Sequence, residues 1–99
     1  MPNVKSETTK IFLEFAFTQE ERDNVLKYCS LSEDIIKHFR KMVTAGADIV
    51  IMFDKHEANE MMKSLLEATV SVSEKADLKN MFEDLHERFE ETYNNVFHR

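Results

Sequence analysis

The sequence predicts a helix-dominated α+β domain in which a two-stranded sheet packs on four helices in the order β-α-α-β-α-α. Two short apolar segments show the period of two that is typical of strands, and the stretches after them carry apolar residues at helical spacings of three and four. The composition agrees with a globular fold, because 42% of the 99 residues are apolar and 32% are charged. One glycine and one proline leave little room for long irregular loops.

A unit of strand, cap and helix occurs twice, at residues 11–29 and 48–66. In each unit a capping residue follows the strand and a glutamate stands three positions further on; the pairs are Thr18 with Glu21 and Asp54 with Glu57. Such a pair forms a capping box, in which reciprocal hydrogen bonds satisfy free amides of the first helical turn. The capping box is best attested when the capping residue is Ser or Thr. Asp54 is therefore interpreted mainly as an N-cap whose charge suits the helix dipole. The correspondence indicates either a duplicated unit or the small range of caps that strand-to-helix junctions use.

The first unit begins after a polar segment, residues 1–9, which is expected to be a flexible leader to a single globular domain at residues 10–99. The first strand spans Ile11 to Phe17, with apolar residues at all of its odd positions. Phe12 does not fit this alternation, because it falls on the face that Glu14 marks as exposed to water. A first helix follows to about residue 29.

The second helix is predicted from an apolar stripe at helical spacing, which comprises Ile35, Ile36, Phe39, Met42 and Val43. Either Ser30 opens a capping box with Glu33, or Ser32 caps the helix directly. The helix is expected to end before Gly46, because glycine readily takes the left-handed conformation found at many helix C-termini.

The second strand, at about residues 47–53, is largely apolar on both faces, although Asp48 falls on the same face as Val50 and Met52. Two intervening helices allow either a parallel or an antiparallel pairing with the first strand, and two strands alone make a marginal sheet. The second face of the sheet would carry Phe12, Val50 and Met52, and an exposed apolar patch of this kind marks an interface. The alternative is that one of the helices folds across these three residues.

Helices three and four are predicted to form a long helical hairpin. Helix three follows Asp54 and ends near Ser71, and Ser73 is expected to cap helix four. The apolar side of helix four comprises Leu78, Met81, Phe82, Leu85, Phe89, Tyr93, Val96 and Phe97. Its other side forms an acidic surface of Glu83, Asp84, Glu87, Glu90 and Glu91. Such a surface either keeps the protein soluble or docks a basic partner.

Composition also restricts the partners and the compartment. A formal net charge of −6 and a pI of about 5.2 provide no basic footprint for direct nucleic acid binding. The single cysteine, Cys29, cannot form an internal disulfide and falls on an apolar helical stripe, where a thiol is usually packed rather than reactive. No export signal and no apolar run long enough to span a bilayer are visible, so a cytoplasmic protein without membrane contact is expected.

The sequence shows no catalytic constellation, and its one glycine provides no phosphate-binding loop. His56 could serve as a general base, but no companion nucleophile is visible. Glu83 and His86 have the Glu-x-x-His spacing of di-iron bundle proteins, although the second such pair is missing, and the alternative is a solvated helix face. The sequence therefore favours a non-enzymatic protein without a cofactor.

The preferred hypothesis is a small protein-protein interaction module that self-associates as a homodimer through the surplus apolar face of its strands, with another protein as a further possible partner. One alternative is an acidic inhibitor or nucleic-acid mimic that blocks a basic partner through the acidic surface of helix four. Another alternative is a helical metal-binding protein built around Glu83 and His86.

Overall fold

The computed structural model describes residues 11–41 and 48–98 and has the predicted helix-dominated α+β architecture. The elements in chain order are β1 (Leu13–Phe17), α1 (Gln19–Tyr28), α2 (Glu33–Lys41), β2 (Ile49–Phe53), α3 (Lys55–Ser71) and α4 (Ala76–Phe97). The predicted leader at residues 1–9, the stripe residues Met42 and Val43, and the helix end before Gly46 lie outside the described residues. No helix within the described ranges is long and apolar enough to cross a membrane.

The two strands pair antiparallel, which settles the direction that the sequence left open. Phe15 lies opposite Ile51, and the register continues in both directions along the strands. In both strands the odd positions are buried and the even positions are exposed. The sheet therefore has one inner face against the helices and one outer face, as the period of two predicts.

The core is built around an aromatic cluster on the inner face of the sheet. The ring of Phe53 lies 5.5 Å from that of Phe89 and 6.5 Å from those of Phe17 and Phe39, and its own side chain is fully buried. Phe89 also contacts Phe15 at 5.0 Å. Tilted and edge-to-face pairs of this kind contribute about 0.5–1.5 kcal/mol each beyond the burial of their area. The cluster joins both strands to α2 and α4.

Both strand-to-helix junctions carry a complete capping box. The amide of Glu21 donates to Thr18 Oγ1 at 3.1 Å, and the amide of Thr18 donates to Glu21 Oε1 at 2.9 Å. At the second junction the amide of Glu57 donates to Asp54 Oδ1 at 2.8 Å, and the amide of Asp54 donates to Glu57 Oε1 at 3.1 Å. The prediction for Thr18 is confirmed, and Asp54 takes part in the same reciprocal arrangement rather than serving only as a simple cap.

The start of α4 differs from the prediction. The prediction that Ser73 caps this helix is wrong, because α4 begins at Ala76 and the residue at its N-cap, Lys75, makes no side-chain capping bond. Val72, the residue at the C-cap of α3, is buried. The chain turns at this point, with the amide of Lys75 donating to the carbonyl of Val72 at 2.8 Å, so Ser73 lies within the turn.

We expect Thr18→Ala and Asp54→Ala each to lower the free energy of unfolding by about 1 kcal/mol, because each substitution removes the side-chain acceptor of a capping box. Urea denaturation followed by circular dichroism at a fixed protein concentration measures this loss. Ser73→Ala is the matched control and should change stability by less than about 0.5 kcal/mol, since this side chain caps no helix. An equal loss in Ser73→Ala would contradict the observed start of α4.

Helices α3 and α4 form the predicted hairpin and pack closely along their length. The buried residues between the sheet and the hairpin include Met61 and Leu65 from α3 and Phe82 and Leu85 from α4. Helix α2 begins directly after Ser32, whose carbonyl accepts the amide of Ile36 at 3.0 Å. This position supports Ser32 rather than Ser30 as the residue that starts the helix.

Candidate functional site

The outer face of the sheet comprises Phe12, Glu14, Ala16, Asp48, Val50 and Met52, and is called the outer sheet face below. All six residues are exposed. The three large apolar side chains retain much of their accessible surface: 42% for Phe12, 43% for Val50 and 50% for Met52. The structure thus exposes the three residues that the sequence assigned to an interface, and no helix among residues 11–41 and 48–98 covers them.

The register determines how this face is arranged. Val50 lies opposite Ala16, and Met52 lies opposite Glu14. Directly opposed residues of an antiparallel pair have Cβ atoms about 4.5–5.5 Å apart, so each of these pairs is in contact range. Val50 and Ala16 form an uncharged pair in the middle of the face, with the carboxylate of Glu14 beside Met52 on one side and that of Asp48, two positions before Val50, on the other. Solvated faces of antiparallel sheets are usually polar, and an apolar one therefore indicates a contact surface.

A second set of exposed apolar side chains lies on the helices. Leu66 and Val70 stand one turn apart on α3 and are 53% and 72% exposed. These two side chains are separate from the outer sheet face in the sequence and belong to a different element. They provide a useful comparison for any variant made on the sheet.

The acidic surface of α4 is exposed at all five predicted positions, Glu83, Asp84, Glu87, Glu90 and Glu91. Arg88 lies among them and donates from Nε to Asp84 Oδ2 at 2.8 Å and from Nη2 to Glu21 Oε2 at 2.7 Å. Lys79 Nζ lies 4.0 Å from Glu83 Oε2. These cations offset part of the acidic surface, and Arg88 also ties α4 to α1.

Glu83 and His86, the candidate metal ligands, lie on α4 with an exposed carboxylate and a half-buried imidazole. Among residues 11–41 and 48–98, no three or more His, Cys, Asp or Glu side chains come together in an arrangement that could hold a metal ion. His56, the candidate base, is exposed in the first turn of α3.

The structure also brings together a polar pair on α2 and α3 that the sequence did not predict. His38 Nε2 lies 2.9 Å from Glu57 Oε2, while the other oxygen of Glu57 accepts the amide of Asp54. Glu57 therefore caps α3 and also binds α2. The two residues of this pair stand on different helices 19 positions apart, so no local spacing could have indicated the contact. Its position between two helices points to a structural role.

Cys29 is packed, as the sequence predicted. Burial raises the pKa of its thiol to about 12, and the carboxylate of Glu67 adds to the effect. The Sγ atom donates to the carbonyl of Ser64 at 3.7 Å, and the Ser64 hydroxyl donates to the carbonyl of Ser30 at 2.9 Å. A thiol held in its protonated form is a poor nucleophile.

Comparison of the chain with family models, with curated proteins and with solved structures finds no match.

Proposed function

We propose that this protein is a small, non-enzymatic, cytoplasmic interaction module that self-associates as a homodimer through its outer sheet face. The observation that supports the proposal is the joint exposure of Phe12, Val50 and Met52, each retaining 42–50% of its accessible surface. Scattered apolar side chains are common on protein surfaces, but three on one face of a small sheet form a patch. Removing such a patch from water is favourable at about 25 cal/mol per Å² of apolar area.

The chemistry of this face suits a second copy of the same chain. Four of its six residues are uncharged, and its two carboxylates belong to Glu14 and Asp48. A twofold arrangement lets the uncharged pair formed by Val50 and Ala16 of one copy approach the same pair of the other. Obligate homodimer interfaces are apolar in this way, resembling a domain core divided in two.

We expect Val50→Glu to raise the dissociation constant of the dimer at least about a hundredfold. A twofold interface would bury two of the new carboxylates, each costing more than about 1.4 kcal/mol, the equivalent of tenfold in affinity. Light scattering over a concentration series gives the molar mass and the dissociation constant. Val50 is chosen over Met52 because Met52 lies opposite Glu14, where a second carboxylate would also destabilise the monomer.

Leu66→Glu is the matched control, because it places the same charge at an exposed apolar position on α3. It should leave the dissociation constant unchanged, and circular dichroism should show all variants folded. Phe12→Glu tests the other end of the outer sheet face and should also weaken the dimer. A native chain that stays monomeric at all concentrations, or Val50→Glu and Phe12→Glu variants that associate like the native chain, would overturn the proposal.

The acidic surface of α4 remains a second candidate contact for a basic protein, but it draws less support. Two of its five carboxylates, Glu83 and Asp84, already lie beside Lys79 and Arg88 of the same helix. Such exposed helical pairs are common on surfaces that are simply solvated.

A further inference from the structure

Two lysines from different parts of the chain converge on one tyrosine. Tyr28 is the last residue of α1 and follows Lys27, whereas Lys75 lies in the turn between α3 and α4, at the N-cap of α4. The Nζ atom of Lys27 lies 5.3 Å, and that of Lys75 5.5 Å, from the centre of the Tyr28 ring. Aromatic rings attract ammonium groups at such distances. These three residues are called the Tyr28 cluster below.

The cluster stands on a fixed part of the fold. The Tyr28 ring makes an edge contact with Phe82 of α4, with 6.2 Å between the ring centres, and packs against the core. The backbone of Lys75 is held by the bond from its amide to the carbonyl of Val72. The tyrosine hydroxyl therefore has a defined position, toward which the two longer side chains reach.

No carboxylate neutralises the positive charge of the cluster. Both lysine side chains are exposed, and within the described residues neither forms an ion pair. Glu74 and Asp77 flank Lys75 in the sequence, but both are exposed and neither is paired with it. The two ammonium charges are thus available to an anion from solution.

The Tyr28 hydroxyl responds to these two charges. Partial burial of the ring opposes ionisation, but the positive charges of Lys27 and Lys75 outweigh it and lower the pKa of Tyr28. A lowered phenol pKa means that negative charge is favoured at the hydroxyl. The same potential would attract an anion placed beside it.

We infer that the Tyr28 cluster binds the phosphate group of a small phosphate monoester. Such a group carries about two negative charges at neutral pH and has three terminal oxygens that accept hydrogen bonds. The cluster offers two ammonium groups and one hydroxyl as donors, so both the charge and the number of donor groups match. A carboxylate or a phosphodiester has a single negative charge and would leave one ammonium group without a counter-charge.

The charge of the whole chain favours a small ligand over a polymer of phosphates. The formal net charge is −6, which repels a nucleic acid, whereas a small monoester brings only one phosphate group to the cluster. Because the lysines are exposed and salt screens their charges, we expect a dissociation constant on the order of 1 mM at low ionic strength. This inference concerns α1 and the turn before α4, and it does not depend on self-association through the outer sheet face.

Titration with methyl phosphate, followed by NMR at low ionic strength and pH 7.5, tests the site. We expect the ring signals of Tyr28 and the amide signals of Lys27 and Lys75 to shift and to saturate. Dimethyl phosphate is the matched ligand, because it differs by one methyl group and carries a single negative charge. It should bind at least about threefold more weakly, since it interacts with one charge fewer.

Substitutions in the cluster test which groups bind the phosphate. Lys27→Gln and Lys75→Gln should each raise the dissociation constant for methyl phosphate at least about threefold, and the double variant at least about tenfold. Tyr28→Phe keeps the ring against Phe82 and removes only the hydroxyl donor, so it should raise the constant at least about twofold.

Lys55→Gln is the matched control for the lysine variants. It makes the same change in net charge at an exposed lysine, at the opposite end of α3 from the turn that carries Lys75. The 17 residues of α3 place it about 25 Å away along that helix. Lys55→Gln should leave the dissociation constant unchanged.

Three results would overturn the inference. The first is a native chain in which the signals of Lys27, Tyr28 and Lys75 do not move with methyl phosphate. The second is a loss of affinity in Lys55→Gln as large as that in Lys27→Gln, which would show attraction by net charge rather than by a site. The third is equal affinity for dimethyl phosphate, which would contradict the assignment to a monoester. Light scattering tests the proposed dimer separately, so the failure of either idea is recognisable by itself.

Discussion

Phe53→Ala is expected to lower the free energy of unfolding by about 3–5 kcal/mol, the range for truncating a buried phenylalanine. The side chain is fully buried, and the rings of Phe17, Phe39 and Phe89 lie within 6.5 Å of it. The His38 ring adds an edge contact at 6.4 Å. Truncation therefore removes one large apolar side chain and leaves a cavity at the point where β1, α2 and α4 meet β2.

The neighbouring residue on the same strand provides a control. Met52 follows the same backbone but points to the outer sheet face, where half of its surface is exposed. Met52→Ala should cost less than about 1 kcal/mol in urea denaturation of the isolated chain, since little buried area is lost. Both variants are compared at one low protein concentration, because self-association would add to the apparent stability. A loss in Phe53→Ala no larger than that in Met52→Ala would contradict the observed core.

Interactions between residues close in the chain could be predicted from the sequence. Thr18 and Glu21 form the predicted capping box because both partners are fixed by three residues of helical backbone. The burial of Phe15 and Ile51, and the exposure of Val50 between its buried neighbours, follow from strand alternation in the same way. These features depend on spacing alone, and a single sequence contains that information.

Features that depend on tertiary packing could not be predicted. Ser73 has the right chemistry for an N-cap, but it lies in a turn that ends before α4 begins at Ala76. The antiparallel direction of the strands depends on how two helices return the chain across the sheet, and no residue pattern specifies that. Likewise, the contact between His38 and Glu57 requires α2 to lie beside the start of α3.

The candidate site also combines features that local spacing predicts with features that only tertiary packing determines. Alternation placed Val50 and Met52 together on one face, but it could not determine whether a helix would cover them. The buried face of the sheet uses α2, α3 and α4, and the outer sheet face is left exposed. The pairing of Met52 with Glu14 and of Val50 with Ala16 came only from the register. That register is what sets the uncharged pair of Val50 and Ala16 apart from the carboxylate of Glu14.

The thiol of Cys29 should react with a disulfide reagent at least about tenfold more slowly in the folded protein than in the unfolded chain at pH 8. Burial, reinforced by the carboxylate of Glu67, raises its pKa from 9.0 to about 12. At a pH well below the pKa, each unit by which the pKa rises lowers the fraction of reactive thiolate about tenfold, and the higher nucleophilicity of a more basic thiolate offsets part of this loss. Because the folded-state pKa is the higher one, the associated stability is fully present below the unfolded pKa. It is lost as the pH rises toward the folded value.

The rate at which the disulfide reagent labels Cys29 is measured between pH 7 and 9, with and without urea. The absorbance of the thiolate that the reagent releases gives this rate. The folded rate should still rise about tenfold per pH unit across this range, because the thiol remains almost fully protonated. Glu67→Gln should raise the rate by removing one of the two causes of the shift, whereas Glu87→Gln, on the exposed side of α4, should not. Equal rates in folded and unfolded chains would show that Cys29 is accessible and ionisable, against its observed packing beside Ser64.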